Sequence, residues 1–304
     1  MPTPAPPAAE PHRNRQVAES FGADPARYDR TRPTYPAALV ERILAASPGH
    51  AASPGRAVLD VGAGTGIVAR LFQAAGCDVL GVEADERMAR FARNAGTDVE
   101  VCAIEAWDPA GRTFDAVVAG QAWHWVEPGA GAAKAAEVLR PGGRFAAFWN
   151  AHQFAPEVAS ALAAATRRFA PEMPAAGANA NLLEAYLGFC EKIAQSLRAA
   201  DGAFGEPETW RFDWETTYTR DEFLELVPTF GGMTLLAPEK LAGLLAALGA
   251  AVDELGGSFV TRYTTLAVTA ARLPSSPARE EPDAPPILTV AAGSDNAQDY
   301  TPEV

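Results

Sequence analysis

Two hydrophobic periodicities alternate along the first half of the chain. Short apolar runs near 57–61, 77–83, 114–119 and 144–150 are separated by segments in which apolar residues recur every three or four positions. Continuous apolar runs of this length are typical of strands buried on both faces of a parallel sheet, and the longer period is typical of amphipathic helices. The alternation therefore predicts an α/β fold with a mostly parallel sheet.

This alternation stops over a segment of about 151–205. Two helical stretches are predicted there, at 156–169 and 181–197, with a loop rich in Pro, Ala and Gly between them. After this insert, alternating aromatic and charged residues predict a half-buried sixth strand near 210–215. A run rich in β-branched residues predicts the final strand at 258–269.

Both ends of the chain lack an apolar period. Residues 1–16 are rich in Pro and Ala, and residues 273–304 are rich in Pro and acidic residues. These compositions predict a disordered N-terminal tail and a disordered acidic C-terminal tail around one domain at 17–272. Within that domain, the prolines of 21–36 predict a structured loop, because proline in a helix interior removes a backbone hydrogen bond.

The charge balance narrows the range of partners. The 304 residues carry a formal net charge of −13, which disfavours a nucleic-acid partner because phosphate binding requires a basic surface. Three cysteines without close spacing predict neither a disulfide framework nor a metal site. The sequence has no candidate membrane span and no signal-peptide pattern, so we expect a cytoplasmic protein without a membrane partner.

The segment Asp60–Gly66 joins the first predicted strand to a predicted helix with the spacing Asp-x-Gly-x-Gly-x-Gly. Glycine lets a ligand approach the main chain, and a helix start presents unpaired N–H groups. Dinucleotides and S-adenosylmethionine are both bound by such turns. The dinucleotide pattern places its third glycine three positions after the second, where this chain has Ile67. No Lys-Ser or Lys-Thr pair marks a triphosphate-binding loop.

The spacing of Asp60–Gly66 resembles motif I of class I S-adenosylmethionine-dependent methyltransferases. The resemblance implies a Rossmann-like sheet of seven mostly parallel strands with an antiparallel last strand, helices on both faces, and a helical cap at about 151–205 over the substrate. It implies that Asp60 orients the amino group of S-adenosylmethionine. The residues implied to line the methionine part of this cofactor are Gly62, Ala63, Gly64 and Gly66.

A second acid, Glu83, ends the second predicted strand about twenty residues beyond the glycines, where doubly wound folds place a ribose-binding carboxylate. A carboxylate can accept hydrogen bonds from both ribose hydroxyls. Ala84 follows it in the predicted cofactor site. Further along, the family often has an acid that contacts the adenine amino group, and this chain has Ala103. Ile104 and Glu105 are the predicted adenine contacts instead.

The pattern Tyr-Asp-x-x-Arg-Pro-x-Tyr-Pro at 28–36 resembles the N-terminal lid of a methyltransferase subgroup that includes trans-aconitate methyltransferases. The resemblance implies that Tyr28 and Arg32 lie near the cofactor carboxylate. An arginine suits that role because its planar fork donates two parallel hydrogen bonds to a carboxylate. An arginine paired with a surface acid is equally compatible with the sequence alone.

The segment after the fourth strand, Gly120–Val126, resembles the corresponding motif of the same subgroup. It implies that Gln121 and Ala122 lie beside the methionine part of the cofactor. His124 is a candidate general base for a hydroxyl acceptor, since the unperturbed pKa of histidine is near neutrality. A histidine between two tryptophans is also typical of a packing position, and this alternative stays open.

The residues and the resemblance together predict methyl transfer from S-adenosylmethionine to a small-molecule acceptor by a monomer or homodimer. The oxygen of a carboxylate or hydroxyl is the expected methyl acceptor. Two other classes stay open: a cofactor-binding, regulatory protein without catalysis, and an NAD(P)-dependent oxidoreductase. Ile67 argues against the second of these.

Overall fold

A seven-stranded sheet is the centre of this computed structural model, which describes residues 20–47, 55–169, 171, 182–231 and 233–274. The spatial order is β3-β2-β1-β4-β5-β7-β6, and only β7 runs antiparallel to its neighbours. The predicted seven-stranded, Rossmann-like architecture is thereby confirmed. The strands are β1 (Ala57–Val61), β2 (Asp78–Glu83), β3 (Asp98–Val101), β4 (Phe114–Gly120), β5 (Leu139–Phe154), β6 (Glu208–Thr219) and β7 (Ser258–Ala271).

Helices cover both faces of the sheet, as predicted. On one face Leu39 and Phe72 belong to a buried cluster with the β1 and β4 side chains, and on the other Val138 and Leu197 pack with the opposite set. The helices are α1 (Pro25–Thr31), α2 (Ala37–Ala45), α3 (Ile67–Ala74), α4 (Glu86–Asn94), α5 (Pro128–Val138), α6 (Pro156–Phe169), α7 (Leu182–Arg198), α8 (Arg220–Leu226) and α9 (Pro238–Glu254).

The expectation of a loop over 21–36 was wrong, because α1 lies within it. Pro25 occupies the first turn of α1, where its missing N–H has no intrahelical partner to lose. The Asp24 carboxylate caps this helix by accepting from the backbone N–H of Arg27 at 3.0 Å. Pro33 follows the helix, so both prolines are compatible with it.

The predicted insert contains the two expected helices, but they differ in their packing. The C-terminal half of α7 lies on the sheet through Cys190, Ile193 and Leu197, which belong to the main core. In contrast, α6 packs against α9 in a separate cluster that also contains side chains of β6 and β7. A cap role for this insert stays a prediction, and the predicted tails lie almost wholly outside the described residues.

Strand β5 continues well beyond its parallel neighbour. Its pairing with β4 ends at Phe148, opposite Gly120. From Trp149 to Phe154 it pairs only with β7 on its other side. We call residues 149–154 of β5 and the facing part of β7 at 261–266 the ribbon, and β6 continues the sheet on the other side of β7. The ribbon forms one wall of the cavity described next.

Candidate functional site

A cavity of about 1330 Å³ opens at the carboxyl ends of β1, β2 and β4. Its proximal half lies at the glycine turn and the ends of these strands, and its distal half lies between the ribbon and the segments after β5 and β6. The proximal half is lined by Gly62, Gly64, Glu83, Ile104 and Gln121. The distal half is lined by His152, Phe154, Leu162, Phe230 and Tyr263.

The glycine turn requires its glycines for two physical reasons. Gly62, Gly64 and Gly66 all have positive φ, at 67°, 57° and 87°, a region that L-residues with a Cβ rarely adopt. At Gly62 an added Cβ would also lie 2.4 Å from the Cβ of Ala122. Gly62 and Ala122, both predicted site residues, are therefore in direct contact, and Ala63 lies between Gly62 and Gly64 in the same turn.

Asp60 lies at the end of β1, where the strand enters this turn. Its side chain is only 1% exposed, and neither carboxylate oxygen makes a hydrogen bond of normal geometry with the described residues. Burial raises the pKa of the Asp60 carboxyl to about 8, a rise that the backbone N–H of Ala69 opposes only in part. A buried, unpartnered carboxyl of this kind requires either a proton or a cationic ligand.

Glu83 ends β2 and lines the proximal half, as expected from its position in the chain. One oxygen accepts from the backbone N–H of Gly64 and the other from that of Asp85, each at 2.8 Å. Burial raises the pKa of Glu83, and these hydrogen bonds oppose the rise. The carboxylate is thereby fixed between the glycine turn and the start of α4, with Ala84 lining the cavity beside it.

Arg32 borders both the cavity and a small adjoining pocket of about 50 Å³ beside the glycine turn. Its guanidinium lies 4.8 Å from the centre of the Tyr28 ring and 5.6 Å from that of Phe230. It donates to the backbone carbonyl of Thr229. No carboxylate pairs with Arg32 within the part of the chain that the structure describes, so the alternative of a surface ion pair is not what forms.

Gln121 and the residues after β3 complete the proximal half. Gln121 has a φ of 56° and donates from its side chain to the carbonyl of Asn150 at 3.4 Å. Ile104 is buried and lines the cavity. Glu105 also lines it, but one of its oxygens accepts from the backbone N–H of Glu127 at 2.9 Å. Its other oxygen makes no hydrogen bond with the described residues.

The position of His124 argues against the predicted general base. Its Nδ1 accepts a hydrogen bond from the indole N–H of Trp149 at 3.0 Å, and its ring stacks on Phe189 with an interplanar angle of 2°. Burial lowers the pKa of His124 to about 4. The neutral ring therefore carries its proton on Nε2. His124 can donate a hydrogen bond from that nitrogen, but it has no free nitrogen to receive a proton.

Sequence reasoning missed the distal half. His152, Tyr186 and Tyr263 line it, and none of them belongs to a recognisable motif. The apolar run of β5 ends near Asn150, and the mixed residues from Ala151 to Phe154 gave no clear strand signal. Extending the predicted strand by four residues places His152 on the same face as Asn150.

Comparisons with known proteins agree with this geometry. Residues 59–147 match a family model described as a methyltransferase domain. Uncharacterized methyltransferases of Mycobacterium tuberculosis and Mycobacterium bovis are 36% identical over 144 residues, which are 45% of this chain and 54% of the relative. The chain thus spans about half the length of the curated relatives it matches.

The fold has a counterpart among solved structures. A protein of Anaeromyxobacter dehalogenans, assigned as a type II methyltransferase, is 23% identical over 80% of this chain and 99% of its own, with a TM-score of 0.56. This likeness concerns the fold. Among the described helices, none has the length and apolar character needed to cross a bilayer.

Proposed function

We propose, from the match of residues 59–147 to a methyltransferase domain, that the protein transfers a methyl group from S-adenosylmethionine to a small molecule. The observation that carries this proposal is a pair of side chains beside one glycine turn without an ionic partner among the described residues: the buried carboxyl of Asp60 and the half-buried guanidinium of Arg32. Asp60 suits an ammonium group, and Arg32 suits a carboxylate. A free amino-acid group has both, and methionine supplies it in S-adenosylmethionine.

The rest of the proximal half suits the nucleoside. Glu83 is fixed by two backbone N–H groups with its carboxylate lining the cavity, an arrangement that favours ribose hydroxyls. Ile104 offers an apolar surface for an adenine ring, and Glu105 keeps one free oxygen for its amino group. Gly62 and Gly64 let the methionine part approach the backbone, whereas Gly66 lines neither pocket and its Cβ position faces Thr97 and Ala92.

The proposed reaction needs little covalent chemistry from the protein. The sulfonium supplies a methyl group that is already activated for transfer. The residues of the chain hold the two reactants in line and exclude water from the space between them. Gln121, which links β4 to Asn150 on the ribbon, lies between the two halves and is well placed to position the reacting groups.

The nature of the acceptor is a further part of the proposal. The resemblance to trans-aconitate methyltransferases favours an oxygen, in a carboxylate or a hydroxyl. A small molecule is favoured because the distal half is a chamber that continues directly from the proximal one. A cytoplasmic location, a monomeric or dimeric state, and the absence of a nucleic-acid partner stay predictions.

Calorimetry tests the cofactor assignment directly. We expect S-adenosylhomocysteine to bind the wild-type protein with measurable heat, and 5′-methylthioadenosine, which lacks the amino-acid group, to bind more weakly. NAD serves as the control for the oxidoreductase alternative and is expected neither to bind nor to raise the melting temperature. Absence of heat with both S-adenosylmethionine and S-adenosylhomocysteine would refute the proposal.

A labelled-methyl transfer assay separates an enzyme from a regulatory binder. S-adenosylmethionine with a tritiated methyl group is incubated with panels of small acids, phenols and amines, and product is extracted and counted. We expect transfer to an oxygen acceptor. Tight cofactor binding without transfer to any acceptor would favour the non-catalytic alternative.

A further inference from the structure

The distal half of the cavity differs chemically from the proximal half. Its walls are mainly aromatic and aliphatic side chains, among them Phe154, Leu162, Phe230 and Leu244. The whole cavity, at about 1330 Å³, exceeds the volume usual for a single small-molecule site. Space therefore remains for a sizeable apolar acceptor next to a bound cofactor.

The polar groups of the distal half are mostly engaged with one another. The hydroxyl of Tyr263 is hydrogen-bonded to that of Tyr218 at 2.9 Å, and the hydroxyl of Tyr186 is hydrogen-bonded to Gln121. Arg262 also lines this half, but it is exposed at the rim opposite Glu215 of β6. These groups leave little capacity for binding a charged acceptor.

His152 is the exception. Neither of its ring nitrogens makes a hydrogen bond with the described residues, whereas Nδ1 of His124 is occupied. Its ring stacks on that of Phe230, with 5.8 Å between the ring centroids and an interplanar angle of 14°. The centroids of the Phe154 and Tyr263 rings lie 4.6 and 6.2 Å from that of His152. The aromatic rings thus fix the plane of an imidazole whose nitrogens are free.

The position of His152 along β5 places it next to the expected site of methyl transfer. It lies on the same face as Asn150, two residues or about 7 Å further along the strand. The carbonyl of Asn150 accepts from Gln121, which borders the proximal half. His152 is therefore the first titratable side chain that an acceptor meets on the ribbon beyond the boundary between the halves.

The surroundings of His152 keep it unprotonated near neutral pH. Burial and, to a smaller extent, the positive charge of Arg32 lower the pKa of His152 to about 4. Tyr263 of β7 is the titratable group opposite it on the ribbon, and it is neutral because burial raises its pKa far above the usual range. A neutral imidazole has one nitrogen that can accept a proton.

We propose that the distal half binds a largely apolar molecule with an acidic hydroxyl, a phenol or enol, and that His152 is the catalytic residue that receives the hydroxyl proton. This inference rests on the proposed function. Among oxygen acceptors it selects a hydroxyl over a carboxylate, because a carboxylate beside His152 would be buried among aromatic rings, and Arg262, the other cation that lines this half among the described residues, is exposed at the rim.

The step balances without any further reactant. The hydroxyl proton moves to the free nitrogen of His152, and the oxygen forms a bond to the methyl carbon. The bond from that carbon to sulfur breaks, and its electron pair goes to sulfur. The products are a methyl ether, S-adenosylhomocysteine and an imidazolium, which then releases its proton to solvent. A weakly basic imidazole suits an acidic hydroxyl better than an aliphatic alcohol.

The experiment uses the full chain with S-adenosylmethionine and four matched probes: 1-naphthol, 4-nitro-1-naphthol, 1-naphthoic acid and 1-naphthylamine. His152→Gln and His152→Phe are compared with the wild type, and His124→Gln is the matched histidine substitution elsewhere in the cavity. Binding of S-adenosylhomocysteine is measured first for each variant. If the wild-type protein does not bind S-adenosylhomocysteine, the proposed function is refuted, and the role of His152 is not what has failed.

With cofactor binding intact, we expect 1-naphthol to be methylated, and both His152 variants to lower kcat at pH 7 by about 100-fold or more. The loss should shrink as the pH rises, because the variants act only on acceptor that is already ionised. It should also shrink with 4-nitro-1-naphthol, whose hydroxyl is more acidic. His124→Gln should keep the pH profile of the wild type, whatever its rate.

Several results would overturn the inference. One is methylation of 1-naphthoic acid or 1-naphthylamine in preference to the naphthols. A second is a naphthol reaction that is equally fast in His152→Gln and in the wild type. A third is failure of both naphthols to react although S-adenosylhomocysteine binds. Rescue by the nitro compound and by high pH separates a catalytic role from simple misfolding, which neither condition would repair.

Discussion

Substitution of Asp60 by asparagine tests the charge logic of the proximal half. Burial raises the pKa of this carboxyl from about 3.8 to about 8 in the free protein. At pH 7 the folded form is then about nine-tenths protonated at this site, and the unfolded form is ionised. If an ammonium group of the cofactor replaces the proton, binding at pH 7 should release about 0.9 proton from Asp60.

The same shift sets how the stability of the free protein depends on pH. Because the folded state holds the Asp60 proton more tightly, the contribution is most favourable below about pH 4 and is lost as the pH rises towards 8. Between 3.8 and 7 the loss is at most about 4 kcal/mol, from 1.36 kcal/mol per pH unit. The Asp60→Asn protein carries no ionisable group there and should lack this decline.

Two measurements check these expectations. Calorimetric binding of S-adenosylhomocysteine in buffers of different ionisation enthalpy gives the number of protons released, and the difference between wild type and Asp60→Asn isolates this site. Glu83→Gln is the matched carboxyl substitution. Since burial also raises the pKa of Glu83, this variant shows how much of the proton release comes from a buried carboxyl other than Asp60. Equal proton release by wild type and Asp60→Asn, or parallel melting temperatures from pH 5 to 8, would refute the reasoning.

Three further predictions follow from the same site. Arg32→Ala should weaken S-adenosylhomocysteine binding by about 10- to 100-fold, the loss of a charged hydrogen bond, and leave 5′-methylthioadenosine unaffected; equal losses for both ligands in calorimetry would contradict the carboxylate role. Gly62→Ala should lower the free energy of unfolding by more than the ~1–2 kcal/mol due to positive φ alone, since the new Cβ would lie 2.4 Å from the Cβ of Ala122. Denaturant titration measures this change. Gly76→Ala is the control, because Gly76 also has a positive φ, 82°, but no atom lies within 4 Å of its Cβ position. The activity of His124→Phe should depend on pH between 5 and 9 in the same way as that of the wild type, because the pKa of His124 is already about 4. A step in the wild-type pH profile that is absent from the variant would restore the general-base role of His124.

Much of the fold could be predicted because the relevant signals are local. The apolar runs that form β1, β2 and β4 are bounded by turn residues and separated by segments with a helical period. Each of these elements can therefore be predicted from its own residues. Asp60 and Glu83 could be located for the same reason, since parallel strands bring their carboxyl ends to one edge of the sheet. That edge is where the structure places both side chains.

The parts that could not be predicted depend on context. Helix α1 was not predicted, because Pro25 indicates the end of a helix unless the helix is known to start there. The role of His124 depended on the indole of Trp149, 25 positions away in the sequence, which no spacing rule joins to it. The distal half is assembled from β5, β6, β7 and several helical segments that follow β5 in the chain. Only the register of the ribbon brings His152 opposite Tyr263.

The contrast between the two halves has a consequence for stability. Asp60 is buried with neither oxygen hydrogen-bonded in normal geometry, and Arg32 is half-buried without an ionic partner among the described residues. Leaving such groups unpaired costs free energy, a cost that Asp60 limits only by holding a proton. A core evolved for stability alone would have replaced both residues by apolar ones of similar volume. Their presence together at one glycine turn is accounted for by a ligand with the opposite pair of charges, because only that ligand removes both costs at once. The distal half carries no comparable burden, so the affinity for an apolar acceptor comes from surface contact. Its selectivity comes from His152, whose ring nitrogens make no hydrogen bond with the described residues.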